Sequence, residues 1–364
     1  MLTKFAVKNY RGFADRIEWD LSHPGNYTFN DFAIKDGIVK NGIIYGPNGS
    51  GKSNLALAIF DIILHLTQKS KNKHQFDTVI NQFHAKAPVS FEYTFRFDRN
   101  VVEYLYSKDL AGIVKETVII DGRMLFDLDR NKLEMGSDEF PMTRDTRQQL
   151  AESSNRVSVL AYLWSVYPLE SEHPLKKLKD FVDGMLLFWN HEERGFAGLE
   201  DTVANIDEFI ISNKLVDDFS AFLKNVSGQN IKFRKAAKGD KQLMCDMGSG
   251  VPFYKVRSTG TSSLTLLYYW IQRLSEASFV MIDEFDAFYH FDLSFKVCQK
   301  LFSFNNQIFV TSHNTYLMSN DLLRPDCNFL IDGRRIRPLN LCTEKELRWG
   351  NNIEKMYRGN AFEL

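Results

Sequence analysis

The sequence predicts an α/β fold organised around a phosphate loop, and three observations predict it. A short apolar run, Gly42 to Tyr45, leads straight into Gly46-Pro47-Asn48-Gly49-Ser50-Gly51-Lys52-Ser53, and the strongly apolar segment Asn54 to Leu66 follows as a helix. Strand, glycine loop, helix is the order such a loop requires. Two further buried-strand candidates, Phe279 to Ile282 and Gln307 to Val310, each end in a polar cluster and are separated by a helix around Leu293 to Phe302. Between these two α/β ends the periodicity turns helical, from about Asp145 to Leu223.

The elements follow in order. Leu2 to Val7 alternates imperfectly and pairs with Ile17 to Leu21. After the loop and its helix, Val89 to Phe97 alternates cleanly, the mark of a strand with one exposed face. Val101 to Tyr106 and Glu116 to Ile120 read as further strands of that sheet. Ser158 to Tyr167, Leu175 to Phe188 and Ile206 to Leu223 read as helices of an insertion without sustained heptads, so no long coiled coil is expected. From Ile231 the α/β pattern returns, with a helix over Leu264 to Leu274 and a closing hairpin, Phe329 to Ile331 and Arg335 to Pro338, turned at Asp332-Gly333. Residues 1–140 and 230–364 are therefore expected to form the core, and 141–229 a mainly helical insertion acting as a lid or partner-binding element.

Composition narrows the class. With 364 residues the chain has room for about two domains, or one large core with an insertion. Apolar residues at 44% and charged residues at 25% exclude a wholly disordered chain. A net charge of −1 argues against a dedicated basic nucleic-acid binder and leaves room for a local basic patch. Cys245, Cys298, Cys327 and Cys342 form no C-x-x-C, so neither a zinc cage nor a disulfide framework is expected. No apolar stretch approaches the ~20 residues of a membrane span, and the N-terminus scatters Lys4, Lys8 and Arg11 through it, unlike a signal peptide. A cytoplasmic protein without membrane contact is expected.

The motifs carry the chemistry. In the glycine loop, backbone N–H groups from Asn48, Gly49 and Gly51 can turn inward on phosphate oxygens, and the following helix adds its positive dipole end. Lys52 then reaches the β- and γ-phosphates, and the Ser53 hydroxyl, followed by Asn54, faces a Mg²⁺ ion. The strand Phe279 to Ile282 ends in Asp283, a candidate metal ligand, and Glu284, a candidate general base. Thirty residues after Asp283 a second strand ends at His313, which can donate to a γ-phosphate. Arg257 to Ser262 opens a helix with Ser258 and Gly260; it reads either as a helix N-cap or as a second anion site.

This order of motifs resembles an ABC-type ATPase, and within that class the SMC, Rad50 and RecF branch. The opening Val7-Lys8-Asn9-Tyr10-Arg11-Gly12-Phe13 is similar to that branch's first strand and turn. Tyr45 to Asn54 and Asn352 to Phe362 resemble the two terminal signatures of stand-alone bacterial AAA ATPases related to overcoming-lysogenisation-defect and abortive-infection proteins. The resemblance covers both ends of the chain and is weak in the middle. It implies an ABC-type head with an N-terminal antiparallel β lobe, ATP and Mg²⁺ as cofactors, and a homodimer or higher homo-oligomer closed through ATP. Ser258 and Gly260 would cap the γ-phosphate bound by the opposite subunit, Gln82, before the Val89 strand, would be the glutamine that contacts the metal, and Arg11 would contact nucleotide; as a bare residue, Arg11 reads equally well as an edge-strand surface arginine. The chain departs from the wider class in its shortened signature, in Phe285 to His290 after Glu284, and in ending soon after His313, so no Toprim nuclease domain is expected within it.

The function so implied is an ATP-driven switch that holds or activates a separate nuclease or toxin in anti-phage defence. The alternatives are a RecF-like DNA-repair ATPase, a transporter subunit, which the opening motif and insertion oppose, and a non-hydrolysing scaffold, which Glu284 opposes. Two basic clusters, Lys69 to Lys73 and Arg334-Arg335-Arg337, are candidates for nucleic-acid contact or solvated faces. Trp164, Tyr167, Phe188 and Trp189 form either a partner surface or core packing.

Overall fold

The computed structural model describes residues 1–67, 79–153, 157–189, 195–199, 205–235 and 239–364. The basic cluster Lys69 to Lys73 lies outside the described residues.

Two seven-stranded sheets face each other. The first is antiparallel throughout and runs, edge to edge, Lys132–Met135, Arg123–Asp129, Gly112–Ile120, Asn100–Asp109, Val89–Phe97, Leu2–Lys8, Ile17–Asp20. Val89–Phe97 buries every second residue, the result its alternation demands. The second sheet runs Gly195–Gly198, Met185–Trp189, Phe279–Asp283, Gln307–Ser312, Asn41–Tyr45, Asn328–Ile331, Ile336–Pro338. Its inner pairs are parallel and both edges antiparallel. Phe279–Asp283, Gln307–Ser312 and Asn41–Tyr45 are buried along their whole length, which is why their sequences are runs rather than alternations.

Aromatic contacts close the gap between the sheets. Trp19 meets Phe309 edge-on at 4.6 Å and Phe329 at 5.5 Å. Phe181 touches Phe95 of one sheet at 5.2 Å and Phe279 of the other at 6.3 Å. The Gln307 side chain accepts from Leu2 N–H at 3.0 Å and donates to Leu2 O at 2.8 Å, tying the first strand to the core.

Residues 141–229 differ from expectation in two respects. Leu175 to Phe188 is not one helix. The helix Pro174–Asp183 stops at Gly184, and Met185–Trp189 is a buried strand parallel to Phe279–Asp283. A continuous apolar run has no period to separate buried strand from buried helix. Two strands of the second sheet therefore come from within residues 141–229, and Phe188 and Trp189 pack in the core instead of offering a partner surface. Ile206 to Leu223 likewise divides into helices Ile206–Ser212 and Val216–Ser227. The four cysteines are free thiols and buried. Among the described residues, no helix is long and apolar enough to cross a membrane.

Candidate functional site

In an open parallel sheet the ligand edge is where the strands' carboxyl ends finish. Here Ser312 pairs with Tyr45, and Ile282 with Val310, so that Gly46, Asp283 and His313 all leave the sheet at the same edge.

The loop Gly46 to Gly51 connects the buried strand to the helix Lys52–Ile59. Gly51 has φ 99°, and a Cβ there would come within 2.6 Å of the Phe13 ring; only glycine fits both constraints. Asn48 and Gly49 are exposed, Ser53 lies exposed in the first helical turn, and Asn54 is half-buried. Lys52 is buried and folds back on the loop, donating to Gly46 O at 2.8 Å and Pro47 O at 3.2 Å. Burial lowers its pKa, opposed by the negative charges of Asp283 and Glu284.

Asp283 is buried, and its Oδ1 accepts from the Thr311 hydroxyl at 2.6 Å. The same hydroxyl oxygen accepts the Glu284 backbone N–H at 2.8 Å. Glu284 itself sits at φ 49°, a conformation a non-glycine residue keeps only when its surroundings hold it there. His313 is exposed; partial burial and then the Lys52 charge lower its pKa, while Glu284 and Asp283 act the other way. Lys52, Asp283, Glu284 and His313 thus share one electrostatic environment. Thr311, Ser312 and Asp286 complete the edge and were not among the expected site residues. Ser312 donates to Asp286 at 2.7 Å and accepts Asn314 N–H at 2.8 Å, bracketing His313. Burial raises the pKa of Asp286. The available signal was the pair of hydroxyl residues immediately before His313.

The opening motif forms a tight turn, with Asn9 at φ 60° and Arg11 at φ 45°. It lies against the glycine loop: Phe13 under Gly51, and Gly12 so close to Asn54 that a Cβ would meet its Nδ2 at 3.2 Å. The Arg11 guanidinium lies 5.7 Å from the Tyr10 ring, and its backbone N–H donates to Val79 O at 2.8 Å. Gln82 belongs to the adjoining turn, where it is exposed and its Nε2 donates to Ile80 O at 3.2 Å.

Ser258 caps the helix Thr259–Ile271, accepting Thr261 N–H at 3.2 Å. A Cβ on Gly260 would come within 3.0 Å of Phe288 O, and Ser263 donates to the Tyr289 hydroxyl at 2.8 Å. The start of this helix therefore abuts the segment that follows Glu284. Of the two basic clusters, Arg334, Arg335 and Arg337 are exposed at the edge hairpin.

The family model described as "AAA domain, putative AbiEii toxin, Type IV TA system" matches residues 43–319, from the phosphate-loop strand to just beyond His313. The chain belongs to this family. That agrees with the resemblance to stand-alone AAA and abortive-infection ATPases. Among solved structures, the SMC head domain from Thermotoga maritima is similar at 15% identity and TM-score 0.43, over 93% of this chain and 98% of that one. The SMC head bound to the C-winged helix domain of ScpA is similar at 16% identity and TM-score 0.46, over 92% and 96%. No curated protein matches the chain.

Proposed function

We propose that the chain is an ATP-binding and hydrolysing switch that closes as a two-fold dimer on two ATP molecules and holds or activates a separate nuclease or toxin in anti-phage defence. The observation that carries the ATPase reading is the common edge at which three adjacent strands end, bringing together Asp283, Glu284, His313 and, through the glycine loop, Lys52. Lys52 exchanges its carbonyl partners Gly46 and Pro47 for phosphate oxygens. Glu284 takes the proton of the attacking water, and His313 donates to the γ-phosphate. The family description, which names a toxin and a toxin–antitoxin system, supports the defence context.

Ser53 and Asp283 offer oxygen donors alone, the set a hard cation takes, and among the described residues no group of three His, Cys, Asp or Glu could hold a metal unaided. Magnesium would sit on these two residues with phosphate oxygens and water, where it offsets phosphate charge. Gln82, whose Nε2 donates to Ile80 O, would offer its Oε1 as the further metal contact.

Ser258 and Gly260 act across the dimer on the partner's γ-phosphate, and loss of that phosphate opens the pair. The test is to purify Glu284→Gln from its native host with ATP and to identify co-purifying molecules by mass spectrometry, beside calorimetry of ATP on Lys52→Ala. A nuclease or toxin in fixed ratio supports the switch. DNA with repair proteins overturns the defence role, and wild-type ATP affinity in Lys52→Ala overturns the site.

A further inference from the structure

We propose that Phe83 is the platform on which the base of the bound nucleotide stacks, an inference that rests on the reading of Gly46 to Ser53 as a nucleotide site. Phe83 is 93% exposed, more than any other large apolar residue described. Exposure of one phenylalanine is ordinary on a loose loop, but this turn is fastened on every side. Asn81 caps it: its Oδ1 accepts Phe83 N–H at 2.9 Å, its own N–H donates to Asn9 O at 3.0 Å, and its Nδ2 donates to Arg11 O at 2.5 Å. From the other side Asn9 Nδ2 donates to His84 O at 3.2 Å, Ala87 O at 2.8 Å and Pro88 O at 3.3 Å. Tyr10 bridges Ile80, and Arg11 N–H holds Val79 O.

The turn that Asn81 grips is the one seated on the phosphate loop through Phe13 and Gly51, and through Gly12 and Asn54. The backbone that carries Phe83 is therefore fastened, through one intermediate turn, to the flank of the loop. A nucleotide whose phosphates fill that loop leaves its base outside it. An exposed aromatic ring on a backbone so fastened supplies what a base needs: a flat apolar face on which to stack. Stacking accepts any π face, so the platform should serve adenine and guanine alike.

The experiment compares Mg-ATP with Mg-tripolyphosphate, which has the phosphates and no base, by calorimetry on the full-length wild type, Phe83→Ala and Phe83→Trp. Phe83→Ala should weaken ATP binding about tenfold while tripolyphosphate affinity stays within about twofold of wild type. Phe83→Trp should retain ATP affinity, and its added emission, read against the five native tryptophans, should be quenched by ATP and not by tripolyphosphate. Wild-type ATP affinity in Phe83→Ala overturns the platform, as does an equal loss of both ligands. So does a defect confined to ATP-dependent dimerisation, which would make Phe83 a contact with a second copy. A wild-type chain that binds neither ligand overturns the nucleotide site itself, a result separate from any difference between variants.

Discussion

Thr311 joins Asp283 and Glu284 through a single oxygen atom. Its hydroxyl donates to Asp283 Oδ1 and accepts the Glu284 backbone N–H, across the gap between two parallel strands. The consequence is geometric. Asp283 has one carboxylate oxygen occupied and its orientation set, and Glu284 is held at a positive φ that turns it off the line of its strand. The two carboxylates of the site are positioned by a residue that touches neither phosphate nor water in the proposed reaction.

Thr311→Val keeps the shape of this residue and removes the oxygen. It leaves an Asp283 oxygen and the Glu284 N–H without their partner, at a cost of about 1–3 kcal/mol in stability. The larger effect should fall on turnover, a loss of about tenfold or more in kcat with ATP affinity nearly unchanged, because positioning rather than phosphate contact is lost. Steady-state kinetics with urea denaturation checks this. A variant with normal kcat would show that the hydroxyl only supports the fold.

That relay marks the limit of what the sequence discloses. Gly46 to Ser53 was legible because fixed residue types at fixed spacing do the work within one turn. The Asp283-Glu284 and His313 strand ends were legible because buried parallel strands are short apolar runs. The Thr311 contact depends on Ile282 lying opposite Val310, a register that no local signal encodes. Met185–Trp189 reads as helix in sequence because an unbroken apolar run has no period, and only its neighbour Phe279–Asp283 makes it a strand. Arg123–Asp129 and Lys132–Met135 give no clear strand signal because their charged, partly exposed residues blur the alternation.

Glu116 is fully buried and serves as the anchor between the antiparallel sheet and the helix Val159–Val166. It accepts from Tyr104 at 2.9 Å, from Ser158 at 2.6 Å, and from the N–H groups of Val159 at 2.8 Å and Leu160 at 3.2 Å. Burial nevertheless raises its pKa above the ordinary 4.5. The folded chain then holds more protons than the unfolded one between 4.5 and the raised value, so this group's contribution to stability falls as pH rises through that window. Glu116→Gln turns an N–H toward a donor that the carboxylate had accepted, and should cost about 1–3 kcal/mol. Urea midpoints measured on both sides of the window should show a pH-dependent loss in wild type that is absent from the variant.

His313 should be neutral in the free protein at pH 7. Partial burial and the Lys52 charge hold its pKa below 6.5, so between the lowered value and 6.5 the unfolded chain binds more protons and stability rises with pH. The exposure of the ring keeps that contribution small. Nucleotide should reverse the direction, since a γ-phosphate beside the ring favours the imidazolium. Proton NMR of the eight histidines, with His313→Asn as the assignment control, follows the titration in free Glu284→Gln and in its Mg-ATP complex. A free value at or above 6.5, or no upward movement with ATP, would contradict the placement of His313 beside Lys52 and the γ-phosphate.

Ser258 has a local duty that any test of its distant one must respect. As N-cap of Thr259–Ile271 it satisfies Thr261 N–H, and Ser258→Ala should cost about 1 kcal/mol whether or not the residue meets ATP. Ser258→Asp separates the two duties. Aspartate caps a helix as well as serine, and its charge suits the helix dipole, so stability should stay within about 0.5 kcal/mol of wild type. The same charge would face the partner's γ-phosphate in a closed dimer and repel it. In the Glu284→Gln background, Ser258→Asp should therefore bind ATP normally as a monomer and fail to dimerise with it, as read by light scattering. Dimers that form normally with ATP would confine Ser258 to its role as a cap.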